Sequence, residues 1–190
     1  MTDTAMTAPV SRPSTVAQIV AAGVAVAVAV VLAFGLPRLA DSSAPEDVAV
    51  AGGEPVTAGG VTVTPPEGWA LAGGTDLLVL NKEDAKFFLL PPTPSTQSPE
   101  DAVLAAEAGY TGGSVQSTIG EVETFTTTGG LEAASVIVTQ ADLITILYAF
   151  SDGQSLAIGN AAFTPNSSPP VQDEIDAIAA SAGFAQEATS

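Results

Sequence analysis

Nucleophilic catalysis needs a nucleophile and a base placed to take its proton, and the residue types in this chain restrict that chemistry. Its 190 residues include no histidine and no cysteine. A serine or threonine activated by a desolvated lysine is the arrangement left. Beyond the N-terminal region the only lysines are Lys82 and Lys86, in or beside the acidic run Asn81-Lys82-Glu83-Asp84. That is the setting of a solvated turn lysine rather than of a general base. Glycosidase chemistry would need two carboxylates held about 5–10 Å apart in a cleft. Acids are plentiful, but most fall in turns or on helix faces, and Trp69, Tyr110 and Tyr148 are few for sugar-stacking platforms.

Metal and cofactor chemistry finds no better footing. Zinc sites of the usual Cys/His type are excluded by composition. The densest oxygen-bearing loops, Asn81 to Asp84 and Ser151-Asp152-Gly153-Gln154, do not match a calcium-binding EF-hand loop and read as hairpin turns. A phosphate-cradling glycine loop ending in lysine is missing. Trp69 follows a Pro-Glu-Gly turn and is better placed as core packing than as a ligand platform. Asn166-Ser167-Ser168 matches a glycosylation sequon, though a helix cap at Ser168 explains the same residues. The expectation is therefore no catalytic residues, no cofactor and no metal.

Charge narrows the partners. The formal net charge is −17, and from Asp41 onward twenty acidic side chains face two lysines. Nucleic-acid affinity comes largely from Lys and Arg displacing counterions, so nucleic acid is excluded as a partner. The same field opposes docking onto anionic headgroups.

The elements that would position any site begin with Ile19 to Leu36, 18 residues without a polar side chain; Val16, Ala17 and Gln18 extend the run to 21. At about 1.5 Å per residue this is roughly 27–32 Å of helix, the thickness of a bilayer's hydrocarbon core. Pro37 and Arg38 end it. A cleaved signal has a shorter apolar stretch and a small-x-small site. Arg38-Leu39-Ala40 lacks the small first residue, Ser42-Ser43-Ala44 is followed by proline, and Ala49-Val50-Ala51 lies far downstream. With no cysteine for lipid attachment, the helix itself is the expected anchor. Arg12 and the α-amino group precede it, against Arg38 alone beyond it, so the positive-inside rule places the C-terminal part outside the cytoplasm.

The expected organisation is a disordered tail over 1–15, a transmembrane helix over 16–36, an acidic Pro/Gly linker over 37–60, a globular domain over 61–185 and a short tail over 186–190. Within the domain, Val61 to Thr64 reads as a strand stopped by Pro65-Pro66. Leu77 to Leu80 and Lys86 to Leu90 pair across the Asn81–Asp84 turn. Ser98-Pro99-Glu100-Asp101 starts a helix, with a capping serine, proline at the first position and acids at the positive end of the dipole. Gly109 is expected to end it. Strands then start at Val122, span Leu131 to Thr139 and Asp142 to Phe150, and return from Gln154 to Phe163 after the Asp152-Gly153 turn. Ser168-Pro169-Pro170 opens a second helix through Ala180. The fold class is α+β, an antiparallel meander sheet flanked by helices and preceded by one transmembrane helix.

This order resembles the PsbP-like fold group, which includes small extracytoplasmic bacterial domains of the LpqN and DcrB kind. The residues that carry the resemblance are Val61-Thr62-Val63 leading into Pro66-Glu67-Gly68-Trp69, the helix start at Ser98, the long meander, and the C-terminal helix ending at Ala180-Ser181-Ala182-Gly183-Phe184. They span about 61–185. The resemblance implies a central antiparallel sheet and a scaffold used for binding and assembly, with no defining catalytic motif.

The expected function is a membrane-tethered, non-catalytic module that binds an envelope protein, polymer or lipid, held in the lipid bilayer by its N-terminal helix. A carboxylate-based envelope hydrolase would instead need facing acids in a concave pocket, one with its pKa raised by burial. A structural spacer without a ligand would show a closed core.

Overall fold

The computed structural model describes residues 47–72, 77–111, 117–167 and 170–185. The apolar run Ile19–Leu36 lies outside these residues, as do Ser168 and Pro169; among the described residues no helix is long and apolar enough to cross a membrane.

Seven short strands come first: β1 (Val48–Ala49), β2 (Val56–Ala58), β3 (Val61–Val63), β4 (Ala70–Leu71), β5 (Leu78–Lys82), β6 (Ala85–Leu89) and β7 (Thr93–Pro94). Helix α1 (Pro99–Thr111) follows, then β8 (Thr118–Ile119), β9 (Glu123–Thr126), β10 (Glu132–Thr139), β11 (Ile144–Ser151) and β12 (Ser155–Phe163), helix α2 (Pro170–Ala180) and β13 (Gly183–Phe184). The architecture is α+β, and every described strand pairing is antiparallel.

The expected meander is present as β9-β10-β11-β12 in sequential antiparallel register. Strand β12 then pairs with β6, joining the two halves of the chain into one sheet of order β1-β4-β5-β6-β12-β11-β10-β8, with β9 also on β10 and β7 on β12. A small second sheet has the order β13-β3-β2.

Alternation along the central strands sorts side chains to two faces. Ala134, Val136 and Val138 of β10 join Leu147 and Ala149 of β11 beneath Ala102, Val103 and Ala106 of α1. Ile146, Tyr148 and Phe150 of β11 point the other way, with Phe87, Leu89, Leu78 and Leu80, to meet Ile175, Ile178 and Ala179 of α2, Val61 and Val63 of β3, and Trp69. The helices therefore cover opposite faces of the sheet. Gly159 of β12 lies opposite Leu89 and Tyr148 on this second face. A Cβ there would run into the Phe88 carbonyl oxygen and the Leu89 side chain, so the glycine makes room for the large residues beside it.

Several boundaries differ from the sequence reading. Helix α1 runs through Gly109 to Thr111, because the Tyr110 hydroxyl is hydrogen-bonded to Thr145 Oγ1 of β11 at 3.1 Å and tertiary packing outweighs glycine's helix penalty of about 1 kcal/mol. Its start is as expected: Ser98 Oγ accepts from the Asp101 N–H at 3.1 Å and donates to Asp101 Oδ2 at 2.8 Å. The β5–β6 hairpin is tighter than the four-residue turn anticipated. Lys82 pairs with Ala85, leaving only Glu83 and Asp84 to turn, with Glu83 at a φ of 42°. Between β11 and β12, Asp152 Oδ1 accepts the N–H groups of Gln154 and Ser155 at 2.8 and 2.7 Å, and Gly153 takes a φ of 86°.

The largest difference lies in the segment whose composition reads as linker. Residues 47–58 supply β1 on the edge of the large sheet and β2 of the small one. Strands of two and three residues carry almost no periodic signal, and the glycine pairs in this segment turn the chain between strands rather than leave it slack; Gly53, Gly59 and Gly60 all have positive φ.

Candidate functional site

The Pro66-Glu67-Gly68-Trp69 turn, the end of β5 and one face of α2 meet at a single carboxylate. Gly68 has a φ of 90°, conformational territory that favours glycine, and this bend lays the following indole inward. Trp69 is 1% exposed, and its Nε1–H donates to Glu174 Oε2 at 2.9 Å. Lys82 reaches the same carboxylate from β5, with Nζ 2.9 Å from Oε1 and 2.7 Å from Oε2, and makes a longer contact of 3.4 Å to the Glu67 carbonyl. The two side chains of this ion pair are 22% and 23% exposed. The folding consequence is direct: a turn, a strand end and a helix are tied by charge-assisted bonds at the rim of the main core.

Lys82 is therefore not the solvated turn lysine that its acidic neighbours suggest. Its partner is Glu174, 92 positions away, and the ammonium points into that carboxylate rather than toward a hydroxyl nucleophile. Lys86 is exposed on β6. Sequence reasoning missed the role of Glu174, which shares α2 with Asp173 and Asp176 but is the acid that meets Trp69 and Lys82. The signal available was helical spacing: Ile175, Ile178 and Ala179 form the buried stripe with Val171 partly buried at its start, and Glu174 lies beside it.

A cavity of about 180 Å³ opens next to this knot, lined by Lys82, Glu83, Asp84, Ala85, Asn166, Ser167 and Val171. Small-molecule sites usually enclose roughly 300–1,000 Å³ and are mostly apolar, so this hollow is smaller than a typical organic-ligand site. The sequon residue Asn166 sits here in an exposed turn closed by the Ser167 N–H donating to the Thr164 carbonyl at 2.9 Å.

A second cluster surrounds Tyr148. This side chain is buried to 1% exposure, packs against the rings of Phe87 and Phe150 at 5.8 Å each, and donates its hydroxyl to Asp176 Oδ1 at 3.3 Å. Burial pushes the phenol pKa well up, and the charges of Asp176 and Glu123 add to it. Burial also raises the Asp176 carboxyl; the Tyr148 hydrogen bond opposes that shift, and Asp173 and Glu123 reinforce it. A hydrolase would place such a raised acid in a concave pocket facing a second carboxylate. Asp176 has the shift but does not line the cavity beside Lys82. Among the described residues no group of three or more acidic side chains is disposed to hold a metal.

No protein-family model matches the chain, and no curated protein sequence does. Among solved structures, the solution structure of cyanobacterial PsbP (CyanoP) from Synechocystis sp. PCC 6803 is similar, with a TM-score of 0.50 at 13% identity, covering 78% of this chain and 99% of that one. The fold is PsbP-like. At that identity the likeness extends to the arrangement of strands and helices, and the chemistry of each surface is this chain's own.

Proposed function

We propose that the chain is a single-pass membrane protein that presents a non-catalytic, PsbP-like binding or assembly domain, of the LpqN and DcrB kind, outside the cytoplasm. The observation that carries this reading is the 18-residue apolar run Ile19–Leu36 upstream of an acidic folded domain. A bilayer-length helix fixes the domain near the membrane, where a raised local concentration makes even modest affinity effective. The side chains with the most catalytic potential support a structural use. Lys82 is committed to Glu174, and Tyr148 and Asp176 are committed to each other at the α2 contact. The field of the domain favours a partner with basic groups over nucleic acid or anionic lipid.

Protease added to intact spheroplasts tests the topology. The reading expects digestion of the domain together with survival of a membrane-embedded fragment containing Ile19–Leu36. A domain protected until the membrane is opened would reverse the orientation and sink the proposal.

A further inference from the structure

Strands β8 and β9 run in line along one end of the large sheet, both paired to β10. Among the described residues no strand pairs with their outer side. Of the nine residues 118–126, seven are exposed, and none is a proline or a lysine, the usual guards of an open edge. The opposite edge, β1, is only two residues long. Ile119 faces Val138 and Glu123 faces Ser135, so residues 120–122 oppose only 136–137. A bulge therefore interrupts the line and leaves β9 as its regular part. The Thr127 N–H donates to the Leu131 carbonyl at 2.9 Å. Antiparallel alternation then turns the backbone groups of Phe125 inward to Ala133, and those of Thr124 and Thr126 outward to solvent.

From this edge and its charge we infer that β9 takes up an extended basic segment of a partner protein as an added strand, with alternate Lys or Arg side chains on the Glu123 side. The inference deepens the reading of the domain as a binding module and rests on it. Register fixes which side chains meet. Glu123, Ser135 and Tyr148 lie in one row across the sheet, on the face that α2 covers. Asp176 of α2 is hydrogen-bonded to Tyr148 in that row, and Asp173 and Glu123 both act on the Asp176 carboxyl. The two lysines of the described residues do not answer these acids. Lys82 is held by Glu174, and Lys86 lies four strand steps from β9, on the face opposite its neighbour Phe87. A side chain directly across from Glu123 on an added strand would come within about 5 Å of it, Cβ to Cβ, where opposite charges attract and like charges repel. A second copy of this chain is a poor occupant, since it brings Glu121 and Glu123 to the same edge and a net charge of −17. A basic strand instead gains main-chain hydrogen bonds at Thr124 and Thr126 and a charge pair at Glu123.

The test uses the full chain in phosphatidylcholine nanodiscs and a fluorescein-labelled nonapeptide that alternates arginine with threonine. When its arginines lie on the Glu123 side, its threonines are opposite Thr124 and Thr126. N-methylating those threonines removes the donors aimed at β9 and leaves the charge intact. Saturable binding by fluorescence anisotropy is expected, weakened at least about tenfold by the methylation, the worth of one or two backbone hydrogen bonds. Thr124→Pro, at a position whose N–H the sheet does not use, should weaken it comparably while native Trp69 emission persists. Should that variant lose its native emission, the methylated peptide on the parent chain decides alone. Glu123→Lys should weaken binding more than Glu54→Lys, an equal change of net charge at an exposed residue after β1. Absence of saturable binding overturns the inference, as does binding indifferent to the methylation or to a folded Thr124→Pro, or equal losses from the two lysine substitutions. Each of these results leaves the tethered reading standing, because protease accessibility and membrane retention of the chain decide that separately.

Discussion

Replacing Glu174 isolates the knot that joins the Trp69 turn, β5 and α2. In Glu174→Ala the Trp69 Nε1–H, on a side chain 1% exposed, loses its acceptor. An orphaned buried donor costs about 1–3 kcal/mol. Lys82 loses its carboxylate too. With both partners between a fifth and a quarter exposed, the pair lies between surface and buried cases, so about 1–2 kcal/mol is a fair share. The two losses share one side chain and are not additive, giving about 2–4 kcal/mol in total. For a domain of this size that is a fall in Tm of roughly 6–16 °C. Glu174→Gln keeps an acceptor for the indole and removes the charge, so it should cost about 1–2 kcal/mol and uncouple from Lys82→Met in a double-mutant cycle. Trp69 is the only tryptophan, so its fluorescence during urea or thermal unfolding reports the site itself. Glu174→Ala within about 0.5 kcal/mol of the parent, with unchanged native emission, would refute the assignment of the knot as a structural tie.

Gly159→Ala should destabilise by at least about 1–3 kcal/mol in urea titration, since the new methyl meets the Phe88 carbonyl and Leu89 across the sheet. The raised Asp176 carboxyl carries stability that is complete below the unfolded carboxylate range, near about pH 3.9, and is lost as pH rises through its folded value. Asp176→Asn should therefore raise the urea midpoint at neutral pH, with the advantage vanishing toward about pH 4 in a stability-versus-pH series. The raised Tyr148 phenol contributes stability that is complete below about pH 10 and falls away above it, so Tyr148→Phe should flatten the alkaline limb of the same series. Asp152 has the opposite sign: the Gln154 and Ser155 amides lower its pKa, so its contribution is present at neutral pH and fades as pH falls through the folded value, and Asp152→Ala should lower the urea midpoint at neutral pH more than in acid.

The sequence was most legible where one physical signal dominated. Alternating residues over β10 to β12, the Asp152-Gly153 turn and the Ser98 cap each announce themselves locally, and each lies within a residue or two of its expected place. The β12–β6 pairing was not legible, because it joins two hairpins by non-local contacts that no short window contains. Strand β1 escaped for a different reason. Its two residues sit among glycines and prolines whose composition matches a flexible tether, and its order comes from Trp69 and Asn81 rather than from its own propensity. The Pro66–Trp69 turn was visible as a motif and Trp69 as core, but the carboxylate that completes it is supplied by α2. One glutamate among several acids on a helix is distinguished only by what the tertiary fold brings to it.

The most direct test of the whole account is peptide mapping of the chain recovered from washed, carbonate-extracted membranes. The account predicts a membrane-retained polypeptide that still contains Ile19–Leu36 joined to the folded domain. A domain found only in the soluble fraction, with its first residue downstream of Leu36, would contradict it.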